Sequence, residues 1–143
     1  MNAVLELEHP ATAYSSPISA EELTVFHNLI LKKITDAEDE MNFLLNSINE
    51  MRDNNSADLS SNQHHVADNG STEAALQINF RLLERTQKFI KDLKRALKRI
   101  ENGTYGICKI TGKPIAIQRL MAAPHTQHSI EAKKMRNRRL NIS

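Results

Sequence analysis

Between Ser71 and Glu101 apolar side chains recur every seven residues, at Leu76, Leu83, Ile90 and Leu97, with Asn79, Thr86, Leu93 and Ile100 three residues behind each. Rows at alternating spacings of three and four form a narrow seam on an α-helix, and such a seam needs a second helix to cover it. The second row begins polar and ends apolar, which predicts a looser seam near Asn79 and a tighter one near Ile100. Upstream, Leu23, Ile30, Ala37, Leu44 and Met51 form one row and His27, Ile34, Met41 and Ile48 another. Ser19 and Glu22 have the spacing of a capping box, and Ile18 and Leu23 that of a hydrophobic staple. A helix is therefore expected from Ser19 to about Arg52, a rod of roughly 45–50 Å. The second is expected from about Thr72 to Ile100, stopped by Asn102-Gly103. Helices of similar length with facing seams fold most simply as an antiparallel coiled-coil hairpin over 19–101. His27, on the seam, reads as a packed histidine rather than a ligand.

The segment 53–71 between the helices is polar, lacks periodicity and is longer than a helix-to-helix turn requires, so it is expected to be a tip loop, either functional or simply solvated. His64 and His65 alone offer too few ligands for a metal, and Asp68 lies where a helix N-terminus favours an acid. Residues 1–18 read as a flexible arm. Beyond Asn102 the pattern changes: short apolar runs flank Thr111-Gly112-Lys113-Pro114 and suggest a small β-hairpin, followed by a short helix over 115–123 that Pro124 ends. From about His128 or Ser129 to Leu140, Ile130, Met135 and Leu140 lie on one side, with Lys133, Lys134, Arg136, Arg138 and Arg139 on the others. The expected fold is mainly α: a long hairpin, then a small globular domain and a basic C-terminal helix over 102–143.

Composition narrows the function classes. Aromatics make up only 4% of the 143 residues and Trp is absent, which argues against a large compact core. The net charge of +2 is too small to imply nucleic-acid binding by itself. Its distribution is more telling: residues 1–53 are acidic, and residues 81–101 carry eight bases against Glu84, Asp92 and Glu101. The two helices are therefore oppositely charged, a modest and salt-screened preference for pairing. Cys108, the single cysteine, excludes an internal disulfide and points to a reducing compartment. With neither a basic leader nor a long apolar run, a cytoplasmic protein with no membrane partner is expected. No nucleophile–base pair, phosphate-cradling glycine loop or set of metal-binding carboxylates suggests an enzyme.

The segment from Leu97 to Lys134 carries Tyr105-Gly106-x-Cys108, Gly112-Lys113-x-Ile115, Arg119-Leu120, Ala122-x-Pro124 and Ser129-Ile130-Glu131-Ala132-Lys133. In order and spacing these pieces resemble the C-terminal domain of the DksA/TraR family of bacterial transcription regulators, and the hairpin upstream extends the likeness to roughly residues 20–140. The resemblance implies a regulator that binds RNA polymerase directly, without sequence-specific DNA binding, and inserts its hairpin into the secondary channel with acidic tip residues near the active site. The family's tip motif of Asp, two residues, Asp, one residue, Ala falls on His65, Asp68 and Gly70, so one carboxylate of two remains. Arg85 and Phe89 fall where the family contacts the channel rim.

The family's zinc finger has Cys-x2-Cys, 17 residues, then Cys-x2-Cys; the matching positions here are Cys108, Thr111, Ser129 and Ala132. A closed zinc site needs four strong donors, so a finger-like domain without metal or other cofactor is expected, packed by Tyr105, Ile107, Ile110, Ile115, Leu120 and Ile130. His125 and His128 lie nearby in sequence but leave a Cys-His-His set one ligand short. The positions matching the site at which some relatives bind the alarmone ppGpp are Asp92, Ala123 and Lys133. Only Lys133 keeps a cation for phosphate, so a weak or absent ppGpp response is expected. The alternatives are a structural or adaptor coiled coil, and a weak nucleic-acid-binding accessory that uses the basic faces.

Overall fold

The computed structural model describes residues 17–61 and 66–142, with side-chain environments for 17–54 and 72–140. The described residues form four helices: α1 (Ala20–Ser61), α2 (Val66–Asn102), α3 (Ile117–Ala122) and α4 (Ile130–Ile142). Backbone packing divides the chain into two compact units, Ile34–Lys91 and Met1–Lys33 with Asp92–Ser143. The division falls within both long helices, whereas the sequence reading kept all of 19–101 in the hairpin.

The start of α1 follows from its cap. Ser19 Oγ accepts the Glu22 N–H at 3.2 Å, and the Ser19 carbonyl accepts the Leu23 N–H at 2.8 Å. The Glu22 carboxylate accepts the Ser19 hydroxyl at 3.1 Å, so the reciprocal arm of the box closes on the side chain. An N-cap of this kind contributes about 1 kcal/mol.

Within Ile34–Lys91 the two heptad rows meet. Ile34, Ala37, Leu44 and Ile48 of α1 and Leu83, Thr86 and Ile90 of α2 are buried. Leu44, Ile48 and Leu83 form one core cluster, flanked by Met41, Leu76 and Leu82. Full burial of each large aliphatic stabilises by about 1.5–3 kcal/mol, which makes this seam the main cohesive term of the unit. The pairing is antiparallel. Asn79 Nδ2 donates to Met51 Sδ at 3.7 Å and the Arg52 guanidinium lies 5.1 Å from the centre of the Phe80 ring, while Glu40, lower on α1, shares a groove with Arg85 and Phe89, higher on α2. The polar members of the second row find local partners: Thr86 is buried with its hydroxyl donating to the Leu82 carbonyl at 2.8 Å. Thr86 thus packs as deeply as its apolar neighbours, and the expected loosening does not extend to it.

Both helices run beyond the expected boundaries. Residues 53–61 and 66–71, read from sequence as part of a non-helical tip loop over 53–71, are helical. Asn, Ser and Asp each cost only up to about 0.7 kcal/mol in a helix interior, and a helix already nucleated gains one hydrogen bond per residue fixed. His65 lies outside the described residues, as do the side chain of Asp68, the surroundings of Gly70 and the arm up to Ser16.

In the other unit Tyr105, Ile30, Leu93, Leu120 and Pro124 are fully buried. The Phe26 and Tyr105 rings lie 5.6 Å apart at 50°, an edge-tilted arrangement that adds to area burial. The runs expected as a β-hairpin reduce to one antiparallel bridge, Ile107 with Pro114. Pro114 has no N–H to extend the ladder. No described helix is long and apolar enough to cross a membrane.

Gly106 is where backbone and packing constraints coincide. Its φ is +86°, and a Cβ there would lie 2.7 Å from Ile18 Cδ1. Gly103, at φ +82°, has nothing within 4 Å of the same position. Gly103→Ala is therefore expected to cost only the left-handed backbone penalty of about 1–2 kcal/mol. Gly106→Ala must also shift the terminal methyl of Ile18 and is expected to cost at least as much, as read from urea unfolding of the two variants side by side.

Candidate functional site: the finger loop and the hairpin flank

The finger loop begins where α2 ends. Gly103 turns the chain left-handed, and the N–H groups of Thr104 and Tyr105 both reach the Arg99 carbonyl, at 2.9 and 3.2 Å. Asn102 Oδ1 accepts the Thr104 hydroxyl at 2.6 Å and its N–H at 3.2 Å, closing the turn. Two side chains from this junction then grip one strip of backbone. The Tyr105 hydroxyl donates to the Pro124 carbonyl at 2.8 Å, and Arg99 Nη2 to the His125 carbonyl at 3.2 Å. Burial raises the Tyr105 pKa to about 12, against the opposing pull of the Arg99 charge. The same burial lowers Arg99, with Tyr105 and Asp92 acting in the other direction.

A third clamp holds the next stretch. Arg119 of α3 donates through Nε to the His128 carbonyl at 2.6 Å and through Nη2 to Thr126 Oγ1 at 3.4 Å. The Lys109 N–H donates to the Gln127 carbonyl at 2.8 Å and ties the two halves of the finger together. The clamping roles of Arg99, Tyr105 and Arg119 have no signature of their own in the sequence. Their acceptors are main-chain carbonyls, which no residue type announces.

The four positions that match the family's zinc ligands come together. Cys108 is buried, and its sulfur accepts the N–H of Thr111 at 3.5 Å and of Ser129 at 3.4 Å. Ser129 Oγ accepts the Ala132 N–H at 3.1 Å and so caps α4. Ala132 is fully buried and offers only a methyl group. One sulfur, two hydroxyls and a methyl do not fit a tetrahedral zinc site, and no group of three or more His, Cys, Asp or Glu among the described residues could hold a metal. His125 and His128 enter the loop through their carbonyls, as acceptors for Arg99 and Arg119.

On the hairpin flank, Arg85 is exposed and Phe89 half-buried; with Glu40, Leu82 and Thr86 they line a groove of about 360 Å³. The structure thus brings these two sequence-predicted residues to one surface. Lys133 is exposed on α4, and half-buried Asp92 lies 3.9 Å from Arg95. Ala123 is half-buried at the end of α3, its N–H bound to the Arg119 carbonyl at 2.8 Å.

The Cys108 thiol has an altered acidity with a definite sign. Burial pushes it up, but the hydrogen bonds from Ser129 and Thr111 outweigh burial and bring it from an ordinary 9.0 down to about 6. A depressed folded value means that the folded chain releases a proton the unfolded chain keeps. The resulting stabilisation is complete above about pH 9 and is lost as pH falls through about 6. Ultraviolet thiolate absorbance of the folded protein should titrate near that lower value. The unfolding free energy, relative to Cys108→Ala, should decrease on acidification across the same window.

Comparison with known proteins agrees with this geometry. The family model for the prokaryotic dksA/traR C4-type zinc finger matches residues 103–134. An RNA polymerase-binding transcription factor DksA of Caulobacter vibrioides is 37% identical over 81 residues, 57% of this chain and 57% of that protein. The Escherichia coli K12 protein of the same name is 30% identical over 78 residues, 54% of this chain and 52% of that one. The matched segments thus span little more than half the length of these curated relatives. Among solved structures, the transcription factor DksA2 from Pseudomonas aeruginosa superposes with a TM-score of 0.73 at 27% identity, covering 86% of this chain and 88% of that one. Residues 103–134 thus match the DksA/TraR finger, and the helical pair before them and the fold as a whole are similar to those of DksA proteins.

Proposed function

We propose that this chain is a non-enzymatic transcription regulator that binds RNA polymerase directly and presents its hairpin to the polymerase secondary channel, with Asp68, His65 and Gly70 at the working end. The observation that carries this reading is the hairpin flank, where exposed Arg85 and half-buried Phe89 line one open groove of an antiparallel helical pair. The relatives named as RNA polymerase-binding transcription factors lend it support. A cation beside an apolar face suits a protein partner: the guanidinium selects carboxylates by paired hydrogen bonds and the ring adds buried area. Asp68 is the only carboxylate at the tip-motif positions, so it is the residue through which charge would reach the polymerase active site.

Three purified proteins test the reading: wild type, Arg85→Ala and Asp68→Asn. Wild type should co-elute with core polymerase and change transcript yield in vitro. Arg85→Ala should weaken binding by about 10- to 150-fold, the loss of one charge-assisted hydrogen bond of roughly 1.5–3 kcal/mol, with its thermal midpoint unchanged. Asp68→Asn should still bind but lose the effect on transcription. Absence of co-elution by wild type would favour the adaptor reading, for which Phe43 and Ile78 are exposed apolar side chains on the hairpin.

A ppGpp titration follows from the positions at Asp92, Ala123 and Lys133. Lys133 alone presents a cation, and Asp92 opposes a polyphosphate. Adding ppGpp should leave the transcriptional effect nearly unchanged, and Lys133→Ala should alter it no further. Clear synergy with ppGpp would contradict this.

A further inference from the structure

Three features of the finger need an explanation that neither the family model nor polymerase binding supplies. The four zinc-ligand positions still converge, only one of them carries a metal donor, and that donor is already engaged by main-chain amides. Cys108 belongs to the first knuckle, and its sulfur accepts one N–H from its own turn (Thr111, 3.5 Å) and one from the residue that caps α4 (Ser129, 3.4 Å). The turn is closed independently by the Gly112 N–H on the Cys108 carbonyl at 2.9 Å and by the Cys108 N–H on the Lys113 carbonyl at 2.8 Å. The second knuckle is closed by Ser129 Oγ on the Ala132 N–H at 3.1 Å, the hydroxyl taking the capping role open to any serine at that position. Ala132, fully buried, fills the fourth position with a methyl group.

A metal in a closed four-ligand finger does two jobs. It joins two knuckles that are distant in sequence, and it fills the space between them. In this chain the two jobs fall to different groups. The Cys108 sulfur joins the knuckles as a shared acceptor, with the Lys109 N–H to Gln127 carbonyl bond beside it. The Ala132 methyl and the buried side chains of Tyr105, Ile115 and Leu120 supply the filling.

We propose that the finger of this chain folds without zinc, the Cys108 sulfur joining the two knuckles by hydrogen bonds while the ligand positions keep the placement that a metal would require. The proposal concerns folding alone and does not depend on the polymerase reading. Its failure would show in metal content and melting behaviour, whereas failure of that reading would show in polymerase binding.

The full chain, produced without added metal, should contain no stoichiometric zinc by elemental analysis. Its calorimetric unfolding midpoint should be the same with and without a strong zinc chelator. Cys108→Ala should lower that midpoint by several degrees although no metal is lost. Restoring the ligands in one variant (Thr111→Cys, Ser129→Cys and Ala132→Cys together) should create a protein that takes up one zinc per chain and melts lower once the chelator is added. Stoichiometric zinc in the wild-type chain, or a chelator-sensitive midpoint, would overturn metal independence. A Cys108→Ala chain as stable as wild type would overturn the joining role of the sulfur, and a triple variant that takes up no zinc would overturn the retained placement. If Cys108→Ala fails to fold, the wild-type and triple-variant measurements still decide the question.

Discussion

A stripe of apolar side chains too narrow to fold on itself has to be covered by another stripe, and this requirement organises both long helices. Leu44 and Ile48 of α1 against Leu83 of α2 satisfy it within Ile34–Lys91. The helix propensities of these segments would not do so unaided, because helices in proteins owe most of their stability to packing of an amphipathic face. Polar groups on the seam are tolerated where they find a partner close by. Thr86 turns its hydroxyl back onto the preceding turn, and Asn79 reaches the Met51 sulfur. The groove at Arg85 and Phe89 is a by-product of the same geometry, since residues just off a two-helix seam flank it in pairs.

The globular unit is organised differently. Besides backbone–backbone bonds, it is held by side chains donating to main-chain carbonyls: Tyr105 to Pro124, Arg99 to His125 and Arg119 to His128. A loop with only one β-bridge has many backbone acceptors left over, and burying them unpaired would be costly. Long donors with several N–H groups, such as arginine, satisfy more than one acceptor at a time. The half-buried guanidiniums follow from the loop's lack of regular structure.

The heptad rows, the Ser19 cap and the Gly103 stop were legible in the sequence because each rests on a local rule with a fixed spacing. Phe26 and Ala96 were not, although both are buried. A strict seven-residue repeat drifts by about 20° per heptad from the face of a straight helix, so positions beside the rows rotate into the core. The continuation of α1 to Ser61 and the start of α2 at Val66 also escaped, because Asn, Ser and Asp weaken a helix without stopping it and carry no apolar period to count. At the finger, the loss of zinc donors could be read directly from Thr111, Ser129 and Ala132. The use of the remaining sulfur as an acceptor could not, since it depends on where two backbone N–H groups point. Arg85 and Phe89 were placed by resemblance, and the shared groove emerges only from the folded pair.

The clamps made by Arg99, Tyr105 and Arg119 close on the carbonyls of His125, Pro124 and His128, outside the four finger positions at Cys108, Thr111, Ser129 and Ala132. A loop pinned from outside in this way has its backbone course set largely by groups other than those four side chains, so the outline of the finger does not rest on them alone.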